Sequence, residues 1–152
     1  MIKCIIVEDE KLARDVIISH LSKTPELELI GVCANSFEAA EILRKKEVDL
    51  IFLDIQLPGI TGLNFLRMLN DPPLVIITTA YAEYALESYE FNVMDYLLKP
   101  ISPERFKKAV EKLLNGRLYS FEYGEKPPGV RDYIFIKSSN KFFRVNFSEI
   151  LY

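Results

Sequence analysis

The sequence predicts an α/β fold, a doubly wound parallel sheet of five strands in the order 2-1-3-4-5 with helices on both faces. Three observations predict it. Apolar strand-like runs and segments of helical period alternate five times between residues 3 and 114, and that alternation builds a parallel sheet between helical layers. The runs are short and almost wholly apolar, as in Ile5-Ile6-Val7 and Leu50-Ile51-Phe52-Leu53. Three of them end in charge: Glu8-Asp9 after the first, Asp54 at the tip of the third and Lys99 after the fifth. Sites of open α/β sheets sit at the C-terminal ends of strands, where the strand order reverses. With right-handed crossovers, the order 2-1-3-4-5 puts Glu8, Asp9 and Asp54 on adjacent central strands.

Each element has a local reason. Residues 3–7 read as a buried strand. Residues 10–23 follow a helical period, with Leu12, Val16, Ile17 and Leu21 on one side, and Thr24-Pro25 breaks it. Residues 27–34 form the next strand. Asn35 or Ser36 can cap a helix running to about Glu47, with Phe37, Ala40, Ile42 and Leu43 as its apolar residues. Residues 50–54 are the third strand, and Pro58-Gly59 turns the chain toward a helix that Thr61/Gly62 open. Asp71-Pro72-Pro73 stops that helix. Residues 74–79 are the fourth strand, followed by a helix through Tyr84, Ala85, Leu86 and Tyr89. Residues 96–98 are the fifth strand. Ser102 caps the last helix, Pro103 takes its first position, and Asn115-Gly116 ends it.

Residues 1–116 are expected to form one domain. Residues 117–129 lose the pattern and read as a linker. Residues 133–137 and 142–147 flank Ser138-Ser139-Asn140-Lys141 as a β-hairpin. So few residues of β structure make no core of their own, so residues 130–152 are expected to be the N-terminal fragment of a second domain, cut within it.

Composition narrows the function classes. Net charge is −3, with 13 Lys and Arg against 18 Asp and Glu in residues 1–116 (−5), and 6 against 4 in residues 117–152 (+2). The first part carries no broad basic footprint for nucleic acid. Cys4 and Cys33 lie in strand-like runs and read as buried thiols, without metal or redox spacing. No run approaches the roughly 20 apolar residues of a membrane span. The first residues lack a signal-peptide layout because acids follow too soon. The chain is expected to be cytoplasmic, with no membrane partner.

The charged tips carry the chemistry. Three carboxylates that close repel one another unless a cation joins them, and hard oxygen ligands suit Mg²⁺. Each residue also has a plainer reading. Glu8-Asp9 could open a helix against its dipole, Lys99 could be a solvated lysine, and Thr78 and Thr79 fit strand propensity. The whole set on one sheet edge is harder to read as decoration.

That ordered set resembles the receiver domain of two-component response regulators: Glu8 and Asp9, then Asp54 with Pro58 and Gly62 behind it, Thr79-Ala80, Tyr96, and Lys99-Pro100. The resemblance covers roughly residues 1–116 and implies the flavodoxin-like receiver fold. Residues 78–86 and 95–100 look like the branch that carries a LytTR-type DNA-binding domain, and residues 133–152 resemble that domain's opening strands.

The resemblance implies a role for each residue. Asp54 would accept a phosphoryl group from the phosphohistidine of a sensor histidine kinase. Asp9 would hold Mg²⁺ directly, Glu8 through water, and the Gln56 main-chain carbonyl would complete the protein ligands beside Asp54. Lys99 would pair with the phosphoryl oxygens and Thr79 would donate its hydroxyl to them. Tyr96 would change rotamer with Thr79, and Lys99-Pro100 would be cis. Phosphoryl transfer does need in-line placement and neutralised equatorial oxygens, and Mg²⁺ with Lys99 would supply the charge. The implied output is transcription, through homodimerisation on phosphorylation and DNA binding by the full-length C-terminal domain only. Such a protein catalyses its own phosphorylation and dephosphorylation and is not a turnover enzyme.

Glu8 stands where the family often has Asp, which suits a water-mediated ligand. Bulky Tyr81 is expected to hinder the attacking water and lengthen the life of a phosphoaspartate. His20, the single histidine, reads as a surface residue. Arg44-Lys45-Lys46 and Lys107-Lys108 read as solvated helix faces. Tyr84, Tyr89 and Phe91 are either local packing or part of a self-association face, the usual dimer surface in similar receivers.

Three rivals share the fold or the chemistry. A nucleotide- or flavin-binding module would need a Gly- or Ser/Thr-rich loop after the first strand, where this chain has Glu8-Asp9-Glu10. A phosphatase of the haloacid-dehalogenase type would place a second Asp where Gln56 stands. A phosphorylation-independent interaction module would keep the fold and ignore Mg²⁺ and phosphodonors.

Overall fold

The structure is a computed structural model that describes residues 1–84, 93–119, 133–138 and 141–146. In chain order it contains β1 (Ile2–Val7), α1 (Lys11–Ser22), β2 (Leu27–Cys33), α2 (Ser36–Lys45), β3 (Leu50–Asp54), α3 (Gly62–Met68), β4 (Leu74–Thr79), a 3₁₀ turn (Ala82–Tyr84), β5 (Asp95–Leu98), α4 (Pro103–Tyr119), β6 (Tyr133–Ser138) and β7 (Lys141–Asn146). Strands β1–β5 form one parallel sheet in the order β2-β1-β3-β4-β5. This is the flavodoxin-like arrangement that the strand–helix alternation predicts, with β1 and β3 side by side in the middle.

The two faces of the sheet fill separately. Ile6, Phe52, Ile76 and Leu97 pack with Ile17 and Leu21 of α1 and Phe106 and Leu113 of α4. Val7, Leu53, Val75 and Ile77 pack with Ala39 of α2 and Leu63, Phe65 and Leu66 of α3. The split follows from strand alternation, since successive side chains point to opposite faces. β3 is buried along its whole length, as a central strand covered on both sides must be. Cys4 and Cys33 are buried free thiols. Burial, with Asp49 and Glu28 nearby, pushes the Cys4 thiol up to about 12, and burial with Glu38 pushes Cys33 up to about 11. Neither is an activated thiol.

Side-chain caps fix three helix starts. Asn35 accepts from the Glu38 N–H at 2.9 Å, Thr61 from Asn64 at 3.2 Å and Ser102 from Arg105 at 3.1 Å; each satisfies one of the amides a helix leaves unpaired.

Several expectations need correction. Leu12 and Phe37 are 79% and 73% exposed, so they lie outside the buried stripes of α1 and α2. The final helix passes Asn115-Gly116 and continues to Tyr119. His20 is only partly exposed: its Nε2 lies 2.9 Å from the Ile101 carbonyl, and its ring packs on Phe106 at 5.0 Å. Phe106 stacks in turn on Phe52, so His20 belongs to the α1–α4 packing.

Arg44 and Lys45 pair with Glu41 on the exposed face of α2, and Lys107 and Lys108 are exposed. β6 and β7 pair antiparallel from Tyr133–Asn146 to Ser138–Lys141, the hairpin expected there. The helix expected through Ala85, Leu86 and Tyr89, with Phe91, lies outside the described residues, as do positions 120–129 of the expected linker. Among the described residues, no helix is long and apolar enough to cross a membrane.

Candidate functional site

Three strand ends deliver the site. The parallel ladders carry Glu8 past the end of β1, Asp54 to the tip of β3 and Lys99 past the end of β5. Backbone bonds fix each one: Glu8 N–H to the Cys33 carbonyl at 2.9 Å, and Lys99 N–H to the Thr79 carbonyl at 2.7 Å. Behind Asp54 the chain turns at Gly59, whose φ of 82° suits glycine. Gly62 N–H then closes on the Ile55 carbonyl at 2.7 Å. A Cβ on Gly62 would run into the Asp54 carbonyl oxygen, so glycine there lets α3 start directly against the site.

Glu8 is fully buried and Asp54 is 3% exposed, while Asp9 is exposed. One carboxylate oxygen from each of the three lies within 4.8 Å of the others. Lys99 Nζ sits 2.5 Å from Glu8 Oε1 and 3.3 Å from Asp54 Oδ2. Asp54 Oδ1 accepts from the Gln56 N–H at 3.1 Å. Glu8 Oε2 accepts from the Glu10 N–H at 3.3 Å, but Oε1 receives no well-directed hydrogen bond despite its closeness to Lys99.

The electrostatics follow. Burial and the neighbouring Asp54 carboxyl push Glu8 up to about 7, against the pull of Lys99. Burial alone would lower Lys99, but Glu8 and Asp54 raise it above the ordinary lysine value. One ammonium therefore serves two crowded carboxyls. The donor set is all oxygen, anionic and partly open through Asp9, which fits a hard divalent cation such as Mg²⁺.

Beside this cluster lies a second arrangement. Thr79 is fully buried, and its Oγ1 accepts from the Tyr81 N–H at 3.1 Å. The Tyr96 hydroxyl donates to the Tyr81 carbonyl. Thr79 and Tyr96 thus hold two ends of one residue's backbone, in a loop where Tyr81 itself is 44% exposed. Sequence reasoning singled out Thr79 and Tyr96 but not the backbone between them, because main-chain partners leave no signature in side-chain identity. Burial and Glu83 raise the Tyr96 phenol above its ordinary value. The Lys99–Pro100 peptide is cis.

Comparison with known proteins agrees with this geometry. A family model described as the response regulator receiver domain matches residues 4–111. An uncharacterised response regulatory protein of Vibrio vulnificus is 38% identical over 122 residues, covering 79% of this chain and 50% of that protein. The transcriptional regulatory protein BtsR of Escherichia coli is 41% identical over 119 residues, covering 77% of this chain and 50% of its own. The chain thus spans about half the length of the curated relatives it matches. Among solved structures, the response regulatory domain of protein mrkE from Klebsiella pneumoniae is similar with a TM-score of 0.69 and 31% identity, over 75% of this chain and 96% of that one. The chemotaxis response regulator CheY4 of Vibrio cholerae shares the fold at a TM-score of 0.66 and 22% identity, over 74% and 98%. The family match covers well over half of the chain, and the chain belongs to the response regulator receiver family of two-component systems.

Proposed function

We propose that Asp54 accepts a phosphoryl group from the phosphohistidine of a partner sensor histidine kinase. One observation carries the reading: a nearly buried aspartate at a strand tip touches a lysine while two further carboxylates stand within metal-bridging distance. Asp54 Oδ would attack phosphorus as the P–N bond to the histidine breaks, and the imidazole would leave with the electron pair and take a proton. Asp9, Asp54 and the Gln56 main-chain carbonyl would hold Mg²⁺, with Glu8 reaching it through water. Bound there, the cation neutralises the oxygens of the transferring group. Lys99 would move its attention from Glu8 to a phosphoryl oxygen. Thr79 would give up the Tyr81 N–H to donate to the phosphoryl group, and Tyr96 would follow because it holds the same residue. The energy for that shift is the difference in phosphoryl affinity between the two arrangements.

The chain on this reading is a switch that catalyses its own phosphorylation and dephosphorylation without being a turnover enzyme. The exposed Tyr81 side chain would slow the attacking water. The output would be transcription: phosphorylation favours a homodimer, and DNA is contacted through a LytTR-type domain of the full-length cytoplasmic protein. Residues 130–152 would be the opening strands of that domain, with 117–129 as the linker after the receiver of residues 1–116. The antiparallel β6–β7 hairpin and the transcriptional name of the BtsR relative support this.

The test is incubation with Mg²⁺ and acetyl phosphate, or with beryllofluoride, read by intact mass and by sedimentation for wild type and Asp54→Ala. A labile phosphoryl adduct on wild type alone is the expected result. A folded wild type that takes no adduct and shows no Mg²⁺-dependent change would instead be a phosphorylation-independent interaction module.

A further inference from the structure

Thr78, the neighbour of Thr79 on β4, carries the odd hydroxyl of the site. Thr78 is 1% exposed, and its Oγ1 is buried without a hydrogen-bond partner. Such burial is unfavourable for a hydroxyl, and valine would fill the same space without the penalty. Adjacent strand residues face opposite sides, so Thr79 points with Ile77 toward the α2/α3 layer and Thr78 points with Ile76 toward the α1/α4 layer.

The ladder registers place this hydroxyl. Thr78 pairs with Asp54 across β3–β4 and with Leu97 across β4–β5. Lys99 lies two residues beyond Leu97, just past the end of β5. β4 separates β5 from β3, so the Lys99 side chain must cross the end of β4 to bring Nζ within 3.3 Å of Asp54. Thr78 is the β4 residue at the level of Asp54. We propose that Thr78 is a positioning residue for Lys99: its hydroxyl takes one ammonium N–H when Glu8 turns to the divalent cation, and keeps Nζ aimed at the group on Asp54.

This rests on the phosphoryl-acceptor reading and deepens it. An ammonium has three N–H donors, and Glu8 and Asp54 occupy the close positions around it. Loss of the Glu8 contact frees one donor in a site closed to most solvent, and a neutral oxygen can receive it without competing for the cation. The hydroxyl proton can in turn be given to a carboxylate or phosphoryl oxygen at Asp54. A buried polar group left without a partner is a reservoir that a functional contact can satisfy.

The experiment uses the full chain with Thr78→Val and Thr78→Ser. Thr78→Val should melt at or above the wild-type temperature without metal, and at saturating Mg²⁺ take phosphoryl from acetyl phosphate about tenfold more slowly, as a slightly misplaced catalytic group does. Thr78→Ser should recover most of the rate. Wild-type rates in Thr78→Val would overturn the inference while leaving the acceptor reading intact. Parallel loss of melting temperature and rate, unrelieved by serine, would also overturn it by making Thr78 a packing residue. No phosphoryl uptake by wild type itself would remove the acceptor reading and this inference together.

Discussion

Glu8 and Asp95 are both buried carboxyls beside cations, at 0% and 5% exposure, and they are perturbed in opposite directions. Asp95 begins β5 and is surrounded by donors. Arg105 reaches it with two N–H groups at 2.7 and 3.0 Å, the Tyr96 N–H at 2.8 Å and Lys112 at 3.2 Å. Burial would raise its pKa, but Arg105, the Tyr96 amide and Lys112 hold it below the usual carboxylate value. Glu8 shares one lysine with Asp54 and is pushed up. Burial alone therefore does not decide what a carboxyl does; the count of donors per negative charge does. Asp95 is balanced and ties β5 to α4. The Glu8 cluster is short of positive charge, which is the condition a divalent cation can relieve.

Breaking the balanced pair gives the largest effect. Asp95→Ala would remove the buried carboxylate that Arg105 and Lys112 share. The expected loss is about 3 kcal/mol, the lower end for a broken buried pair because Arg105 can regain water. Urea or thermal unfolding would read it. The same variant should still take phosphoryl on Asp54 from acetyl phosphate. A variant as stable as wild type would show that the donors around Asp95 contribute nothing net.

That contrast was only half visible in the sequence. Glu8, Asp9, Asp54 and Lys99 were legible because each ends an apolar run, and a parallel sheet sends all strand ends to one edge. The cap at Ser102 was legible because the hydroxyl precedes a helical period. The Asp95–Arg105 pair was not, since it depends on how α4 packs back on β5, ten residues away and through a turn. Leu12 and Phe37 misled for a related reason: periodicity reports an apolar stripe but not its width, and the sheet covers only the part centred on Ile17 and Leu21 in α1 and Ala39 in α2. Gly116 looked like a stop, but the structure carries α4 on to Tyr119.

Neutralising the unbalanced carboxyl should act with the opposite sign. Glu8→Gln keeps an oxygen for the Glu10 N–H and removes one of the two negative charges that share Lys99. Metal-free stability at neutral pH should hold or rise by up to about 1 kcal/mol, where truncating Asp95 lowers it. Mg²⁺ affinity should fall about tenfold, because ligand charge sets the strength of such sites. Isothermal titration beside a melting curve separates the two. A stability loss comparable to that of Asp95→Ala would mean that the Lys99–Glu8 pair is structural and that the two regions are alike.

The gentlest probe of the difference is a proton. Glu8 is raised to about 7 in the folded chain, against about 4.3 for an unperturbed glutamate. Between those values the folded protein binds a proton that the unfolded chain has lost, so stability falls as pH rises through that window. Below the window both states carry the proton and the contribution is complete; above about 7 neither does, and the curve flattens. Asp95 works in the other direction: its lowered pKa contributes stability above the ordinary aspartate value that is lost only in acid. Metal-free melting temperature should therefore decline from about pH 4.5 to 7 in wild type. In Glu8→Gln that decline should be absent, and it should persist in a variant altered at Asp95. Mg²⁺ competes for the same carboxyl, so its affinity should rise with pH across that window and level off above it. A melting temperature that climbs over that range, or the same decline in Glu8→Gln, would show that Glu8 is already ionised at rest and that its charge is met by donors as fully as that of Asp95.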